Sequence, residues 1–452
     1  MKENTEAIRD ARTLGLPKML LLGVQHMFAM FGATILVPII VSSAYGLPLS
    51  IQTTLFFAGV GTLFFHLFSK LKVPAFLGSS FAFLGGFETM SKMDQGIYAG
   101  MEPSEKLAYA CGGIVAAGLL YLVLALLVKV VGVKKVMRFL PPVVTGPIIV
   151  CIGLNLAPSA VSNASQCWPL ALIALSVIIV FNIWGKGMLK IIPILLGVVI
   201  SYIAAIIMNA FGMVNADGSA ILSFASVAEA GWLGLPPLQI AKFDLSAILV
   251  MAPIAIAAMM EHIGDMSAIS ATVGANFMED PGLHRTLIGD GLATTLSAMF
   301  GGPANTTYGE NTGVLVLSKV YDPRVIRLAA VYAVILGFIP KMAGVIGSMP
   351  TAIVGGISFM LYGMISAIGV RNIVENQVDF TNSRNLIIAA VILVCGLGFS
   401  GGLTFSVGGT SITLTALAIA AIAGIVLNAL LPGNDYEFGA NPSGDQNRGI
   451  HH

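Results

Sequence analysis

The sequence predicts an all-α polytopic membrane protein of 14 transmembrane spans, built as two inverted 7-span repeats with short strands and half-helices in spans 3 and 10. Three observations predict it. The 452 residues are 56% hydrophobic and only 10% charged, with a mean hydropathy of +0.90. That lies outside the soluble range, and at about 20 apolar residues per helix the length allows roughly a dozen spans or slightly more. Basic residues fall on one side of the alternating spans: of 23 Lys and Arg, only Lys92, Lys106, Lys242 and Lys341 fall on the other. This positive-inside bias puts both termini in the cytoplasm and supports an even number of spans. Finally, the two halves of the chain echo each other.

The polar, mixed-charge segment 1–17 shows no cleavable signal sequence, so the first span serves as its own insertion signal. Apolar runs separated by polar breaks then place seven spans at 18–44, 50–69, 74–90, 105–131, 138–157, 168–185 and 189–211. The longest polar interruption, 215–241, contains Gly and Pro and divides the chain almost in half. Seven more spans follow at 243–268, 283–301, 304–320, 324–346, 350–370, 384–400 and 410–431. Gln25-His26 in the first span is matched by Glu261-His262 in the eighth, and Pro141-Pro142 in the fifth by Pro350-Thr351 in the twelfth. An odd number of spans per half forces the halves to insert with opposite orientation, the plan of many secondary transporters.

Spans 3 and 10 read as broken. Each has a proline (Pro74, Pro303), then a Ser/Thr/Gly/aromatic stretch, Leu77 to Phe81 or Thr306 to Glu310, then an apolar tail. In lipid, extended backbone survives only where it is buried in protein or lines a cavity. A short strand leading into a half-helix meets that condition, and it aims free N–H groups near Phe81 and Glu310 at the centre of the protein.

The chemistry sits where acids interrupt apolar helix. An Asp at membrane depth costs about 2.5–3.5 kcal/mol on insertion scales, and such groups mark a pathway or a site. Glu261 and Asp265, four residues apart, share one helix face, and Glu310 begins the half-helix of span 10. Carboxyl groups in a half-dry cavity hold protons more readily than in water, through desolvation and mutual repulsion. They also accept N–H bonds, while half-helix N-termini donate to carbonyl oxygens, so a flat ring alternating N–H and C=O satisfies both.

Each of these residues also has a plainer reading. Glu261 can be a paired structural acid, and Glu310 a cap for its own half-helix. Asp265 is open between proton handling and a hydrogen bond to span 10. His262 points away from the Glu261 face and reads as packing, and His26 as architecture bonding across to the broken helices. Asp290 reads as structural near the cytoplasmic end, and His66 and Glu88 as interfacial.

The four cysteines are scattered, with no metal-ligand spacing or disulfide framework. Neither a metal nor a cofactor is expected, nor nucleic acid, there being no basic tract. No HExxH or GxSxG motif marks an enzyme, so no catalytic residue is assigned.

Gln25 to Thr34, Gly78 to Phe83, Glu261-His262-Ile263-Gly264-Asp265, Asp280 to Arg285 and Asn305 to Gly313 run through most of the chain. In these segments it resembles the nucleobase–ascorbate transporter (nucleobase:cation symporter-2) family, in its bacterial uracil permease branch. The resemblance implies a core domain of 18–131 (spans 1–4) and 243–346 (spans 8–11). It implies a gate domain of 132–211 (spans 5–7) and 347–431 (spans 12–14), an extracytoplasmic connection at 212–242 and a cytoplasmic tail at 432–452. It also implies a homodimer in the cell membrane.

By that resemblance Glu261 and Glu310 are the ligand-binding carboxylates. Phe81 supplies ring contact and a backbone N–H, and Tyr308 and Gly309 add backbone contacts. Ser80 and Ala33 lie in matching segments and complete the substrate set. Glu261, Asp265, His26 and Glu310 form the proton-coupling set. The family signature continues through Ser318-Lys319, where Ser318 replaces the usual Thr and keeps the hydroxyl. Purine-type members usually carry Gln where this chain has Glu310, which favours uracil. Some uracil members carry His at Asp265, which leaves a proton route there open.

The expected function is proton-coupled uracil import across the cytoplasmic membrane by alternating access. The alternatives are a xanthine or purine permease of the same fold or, further off, an anion transporter, whose ligand would meet Glu261 and Glu310 as like charges.

Overall fold

The structure is a computed structural model that describes residues 7–94, 96–186, 189, 192–399, 401–407, 410–433 and 436, apart from the side chains at 226, 406, 407 and 410–413. The predicted tail 432–452 lies outside the described residues except at 432, 433 and 436.

Long apolar runs fold as helices because, without water, the backbone must satisfy its own polar groups. The first half forms α1 (Leu16–Ser43), α2 (Ile51–Phe68), strand β1 (Leu77–Ser79), α3 (Leu84–Lys92), α4 (Pro103–Val131), α5 (Pro142–Asn155), α6 (Ala157–Ala164), α7 (Trp168–Trp184) and α8 (Pro193–Ala210). The second half forms α9 (Leu245–Met251), α10 (Ile254–Val273), α11 (Leu283–Met299), strand β2 (Asn305–Thr307), α12 (Gly309–Ser318), α13 (Pro323–Gly337), α14 (Pro340–Gly347), α15 (Thr351–Glu375) and α16 (Ser383–Gly398). After the hairpin β3 (Leu403–Val407) and β4 (Thr410–Leu414) comes α17 (Ala416–Leu430). Prolines at the first turn and side-chain caps start many of these helices: Ser50 accepts from Thr53 N, Asp322 from Arg324 N and Thr415 from Ala418 N.

Among the described residues, seven stretches are long and apolar enough to cross a membrane: α1, α2, α4, α5–α6, α8, α9–α10 and α15. The pair α13–α14, bent by 85°, makes an eighth if it is one span, and α7, α16 and α17 are shorter apolar helices. The expected start of the last span at 410 is corrected, because that stretch is a strand. Each strand alternates apolar with Ser or Thr residues, which suits a pleated ribbon, and the helix begins only at the Thr415 cap.

The helices pack in two groups. In one, α4 lies on α11, α2 on α11 and α13, and α1 on α13. In the other, α15 lies on α5, α6 and α7, α16 on α5 and α17, and α8 on α7. The α4–α11 contact is close because Gly118 and Gly291 face each other's carbonyl oxygens, and a Cβ on Gly118 would stand 2.8 Å from Gly291 O.

At the heart of the first group the two short strands pair antiparallel, Leu77 with Thr307, Gly78 with Thr306 and Ser79 with Asn305. Ser80 N donates to Ala304 O (2.8 Å) and Tyr308 N to Phe76 O (2.9 Å). This completes the backbone pairing that buried strands require.

Candidate functional site

The strand pair is pinned from three sides. Asn305 donates from Nδ2 to Phe57 O on α2 (3.2 Å), and Thr294 on α11 both donates to Asn305 O (3.0 Å) and accepts from its N–H (3.1 Å). From α1, Thr34 O accepts the Ser79 hydroxyl at 2.9 Å. The two half-helices, α3 behind β1 and α12 behind β2, therefore start at fixed points in the interior.

The expected site residues gather around this crossing. Tyr308 is 3% exposed, and its hydroxyl donates to Ser79 O at 2.9 Å. The ring lies over Gly78, where any Cβ would collide with it. Its side chain is thus spent on architecture, which leaves its backbone for a ligand. Gly309 opens α12 beside Asp265, 4.0 Å from the position of a Cβ to Oδ1. Ala33 is buried on α1 next to Thr34. Phe81 is buried, with its ring edge-on to Tyr362 of α15 (6.0 Å, 76°), so it bridges the two packing groups.

Asp265 accepts the Thr307 hydroxyl at 2.8 Å, the structural bond to span 10 that its position allowed. His26 is fully buried and binds Asn311 in the first turn of α12: Asn311 Nδ2 donates to His26 O (3.0 Å) and lies 3.2 Å from its Nδ1. Glu261 lies one helical turn before Asp265 on α10, and the Thr307 bond ties that turn to the segment that carries Glu310. His262 does not merely pack: Nδ1 is 3.0 Å from Asp290 Oδ2, with both side chains fully buried. His66 is fully buried, 2.8 Å from Ala75 O.

Several buried polar atoms here have no partner among the described residues: Ser80 Oγ, Glu261 Oε2, His26 Nε2 and Asn311 Oδ1. Buried polar groups are ordinarily paired, and these are not. Thr307, Asn311 and Thr34 were missed as site-forming residues. Thr307 and Asn311 sit in the broken tenth segment, and all three lie in the segments that carry the family resemblance.

A cavity of about 910 Å³ lies between the two packing groups. Glu88, Lys92, Asp94 and Asp244 line it, and it reaches Phe81, Ala82 and Ile254. Neither Glu261 nor Glu310 lines it; Glu261 follows Ile254 by roughly 10 Å of helix at 1.5 Å per residue. A space of about 30 Å³ between Thr145, Asn372 and Asn376 and the α10 residues Gly264 and Ser267 is room for about one water.

Residues 17–404 match the model of the Permease family, a nucleobase:cation symporter-2 group. The chain is 41% identical to a uracil permease of Bacillus caldolyticus, over 94% of each chain. It is 39% identical to a uracil permease of Bacillus subtilis, over 90% of this chain and 91% of the relative. To a uracil permease of Escherichia coli it is 34% identical, over 90% of each chain. In fold it is similar to the transmembrane domain of a cyanobacterial bicarbonate transporter, BicA (TM-score 0.64, 17% identity, 92% of this chain and 99% of that one). It is also similar to the murine anion transporter Slc26a9 in its inward-facing state (TM-score 0.61, 12% identity, 95% of this chain and 73% of that one).

Proposed function

The chain belongs to the Permease family, a family of membrane transporters rather than enzymes, and from that footing we propose that it imports uracil across the cell membrane together with a proton. The single observation that supports the site is the set of buried polar atoms without a partner among the described residues, Glu261 Oε2 and Ser80 Oγ foremost. Ring N–H groups of the substrate donate to Glu261 and Glu310. Its carbonyl oxygens accept from backbone N–H groups where the half-helices begin, at Phe81 and at Tyr308-Gly309, and its face lies on Phe81. Relatives named uracil permeases along the whole length support the substrate, and an acid at 310 supports uracil over purines.

In this reading the molecule has fourteen spans in two inverted repeats. The two packing groups support a core (18–131 and 243–346) that carries the site and a gate (132–211 and 347–431) against which it moves. With the termini in the cytoplasm, the large cavity faces outward and the small space near Asn372 is the closed inward path. A proton on the Glu261, Asp265, Glu310 and His26 network neutralises an acid as uracil docks, the core shifts, and both leave inward. The membrane potential contributes about 2.3 kcal/mol per charge per 100 mV. The assembly is a homodimer.

The anion-transporter fold resemblance, below 20% identity, carries the architecture only. The test is uptake of labelled uracil by proteoliposomes under an imposed pH gradient. Uptake that ignores the gradient rules out coupling, and a panel of competing nucleobases in which xanthine outcompetes uracil rules out the substrate.

A further inference from the structure

One stretch outside the helices turns its apolar side chains away from the protein. Residues 231–241, at the end of the long connection between α8 and α9, carry no charge and form neither helix nor strand. The main chain is held inward instead. Gly234 N donates to Phe338 O beyond the end of α13 (3.0 Å), and Gln239 N to Phe300 O beyond the end of α11 (3.2 Å). Ala241 N donates to Met299 O (3.0 Å), and the next amide, Lys242 N, to Ala108 O on α4 (3.0 Å). Pro237 O accepts the Thr53 hydroxyl of α2 at 2.7 Å, while Pro236 and Pro237 have no N–H to satisfy. The stretch is strapped across one end of the first packing group.

Burial alternates along it. Gly234, Pro236, Gln239 and Ala241 are wholly or partly buried, whereas Trp232 is 77% exposed, Leu233 83%, Leu235 82% and Ile240 71%. Apolar-out alternation suits a chain that faces lipid, and proteins in water rarely expose so contiguous a patch. Two observations say what covers it. First, its surroundings are the outer surface of spanning helices. The chain runs on through exposed Phe243 and Leu245 into the α9–α10 span, and Gly234 is bonded at the end of α13, whose Val331 and Ile335 are exposed. Second, Trp232 has a lysine beside it: Lys341 Nζ stands 5.7 Å from the ring centroid and donates to Val227 O at 2.6 Å. Trp concentrates at membrane–water boundaries, where Lys also holds its head among the polar groups. The other tryptophans, Trp168 and Trp184, begin and end the apolar helix α7, exposed at its two ends. Ala216 N donates to Gln166 O at 2.8 Å, which ties the same connection to the Trp168 end.

We propose that residues 231–241 are a lipid-facing strap, lying in the headgroup–acyl boundary of the bilayer with Trp232 and Lys341 as its anchor pair. The partner is bilayer lipid. The side chains of Leu233, Leu235 and Ile240 enter the acyl region, the bonded main chain stays against the helix ends, and the Lys341 ammonium keeps to the headgroup level. A connection whose sequence reads as a polar interruption thereby belongs to the membrane-embedded surface of the first packing group.

The test is the fluorescence of the full chain carrying Trp168→Phe and Trp184→Phe, in which Trp232 is the sole tryptophan. In phosphatidylcholine vesicles its emission should be lost progressively as lipid brominated near the headgroup end of its chains replaces plain lipid. Iodide, added on both sides, should quench it far less than it quenches free tryptophan. Emission quenched by iodide and untouched by brominated lipid overturns the strap. Emission that neither quencher reaches overturns it too, because a second copy or another protein face then covers Trp232. Adding Leu233→Asp and Leu235→Asp should release Trp232 to iodide, since acids are expelled from the apolar region toward water; lipid quenching that stays unchanged there contradicts the proposal. Should the two Phe substitutions prevent folding, the difference in lipid quenching between wild type and Trp232→Phe is read in the same way, and no difference is equally fatal. Uracil takes no part in these measurements, so they stand apart from the transport reading.

Discussion

Tyr308 shows how one side chain divides its labour. Its hydroxyl is committed to Ser79 O, so Tyr308→Phe should lower stability by about 1 kcal/mol, the net worth of a neutral hydrogen bond. Uracil affinity should stay within about 2-fold, because only the backbone faces the ligand in the proposed mode; thermal unfolding and titration check both. Thr307 is the opposite case. Thr307→Val keeps the shape but strips Asp265 of its donor, leaving a buried carboxyl oxygen unpaired at a cost of about 1–3 kcal/mol. A melting temperature unchanged from wild type would contradict that. The acids at 261, 265 and 310 were legible in the sequence because a charge inside an apolar run has to be accounted for. Thr307, Asn311 and Asp290 were less legible as parts of the site: hydroxyl, amide and acid acquire meaning only from the element packed against them. For Asp290 and His262 that element is another helix, which sequence spacing does not supply.

At the level of elements, the broken third and tenth segments were readable because a proline followed by Ser, Thr and Gly cannot continue a lipid-facing helix. Their pairing puts Gly78 under the Tyr308 ring, with Thr34 Oγ1 2.7 Å from where a Cβ would stand. Gly78→Ala should therefore cost about 1–3 kcal/mol through overpacking and weaken uracil binding with it. Wild-type melting and binding would contradict that packing. The strand at 410–414 was misread as the start of a span because its apolar content was counted and its period-2 alternation was not. The segment 215–241, read as a polar interruption, exposes Trp232, Leu233, Leu235 and Ile240. The N-terminal segment is also more structured than its polarity suggested. Ile8 bridges to Val320, and Asp322 accepts the buried Ala11 N–H at 2.7 Å while capping α13. Asp322→Ala should cost about 0.5–2 kcal/mol from the cap alone, measured as a lower melting temperature with uracil transport intact at low temperature.

Across the whole molecule, the acids outside the spans can be separated from the transport proton by sign. Hydrogen bonds from Arg12 hold Asp10 at about 2 against an ordinary 3.8, and a hydrogen bond from Lys72 holds Asp280 below its usual range. A carboxylate with a depressed value contributes stability above its unfolded pKa and loses it only as pH falls through the folded value. For Asp10 that window runs from 3.8 down to about 2, and for Asp280 it also lies below the ordinary carboxylate value. Uptake measured between pH 5 and 8 should therefore keep its pH response in Asp10→Asn and Asp280→Asn. A flattened profile in either would move the sensor to the surface. The central claim is that the carboxylates of Glu261 in the eighth segment and Glu310 in the tenth hold one neutral heterocycle between the two packing groups. Calorimetric titration of uracil into the purified wild type, Glu261→Gln and Glu310→Gln tests it most directly. Wild-type protein should bind, and each variant should lose at least about 10-fold in affinity, the worth of one charge-assisted hydrogen bond. Two variants that bind uracil as the wild type does would contradict it.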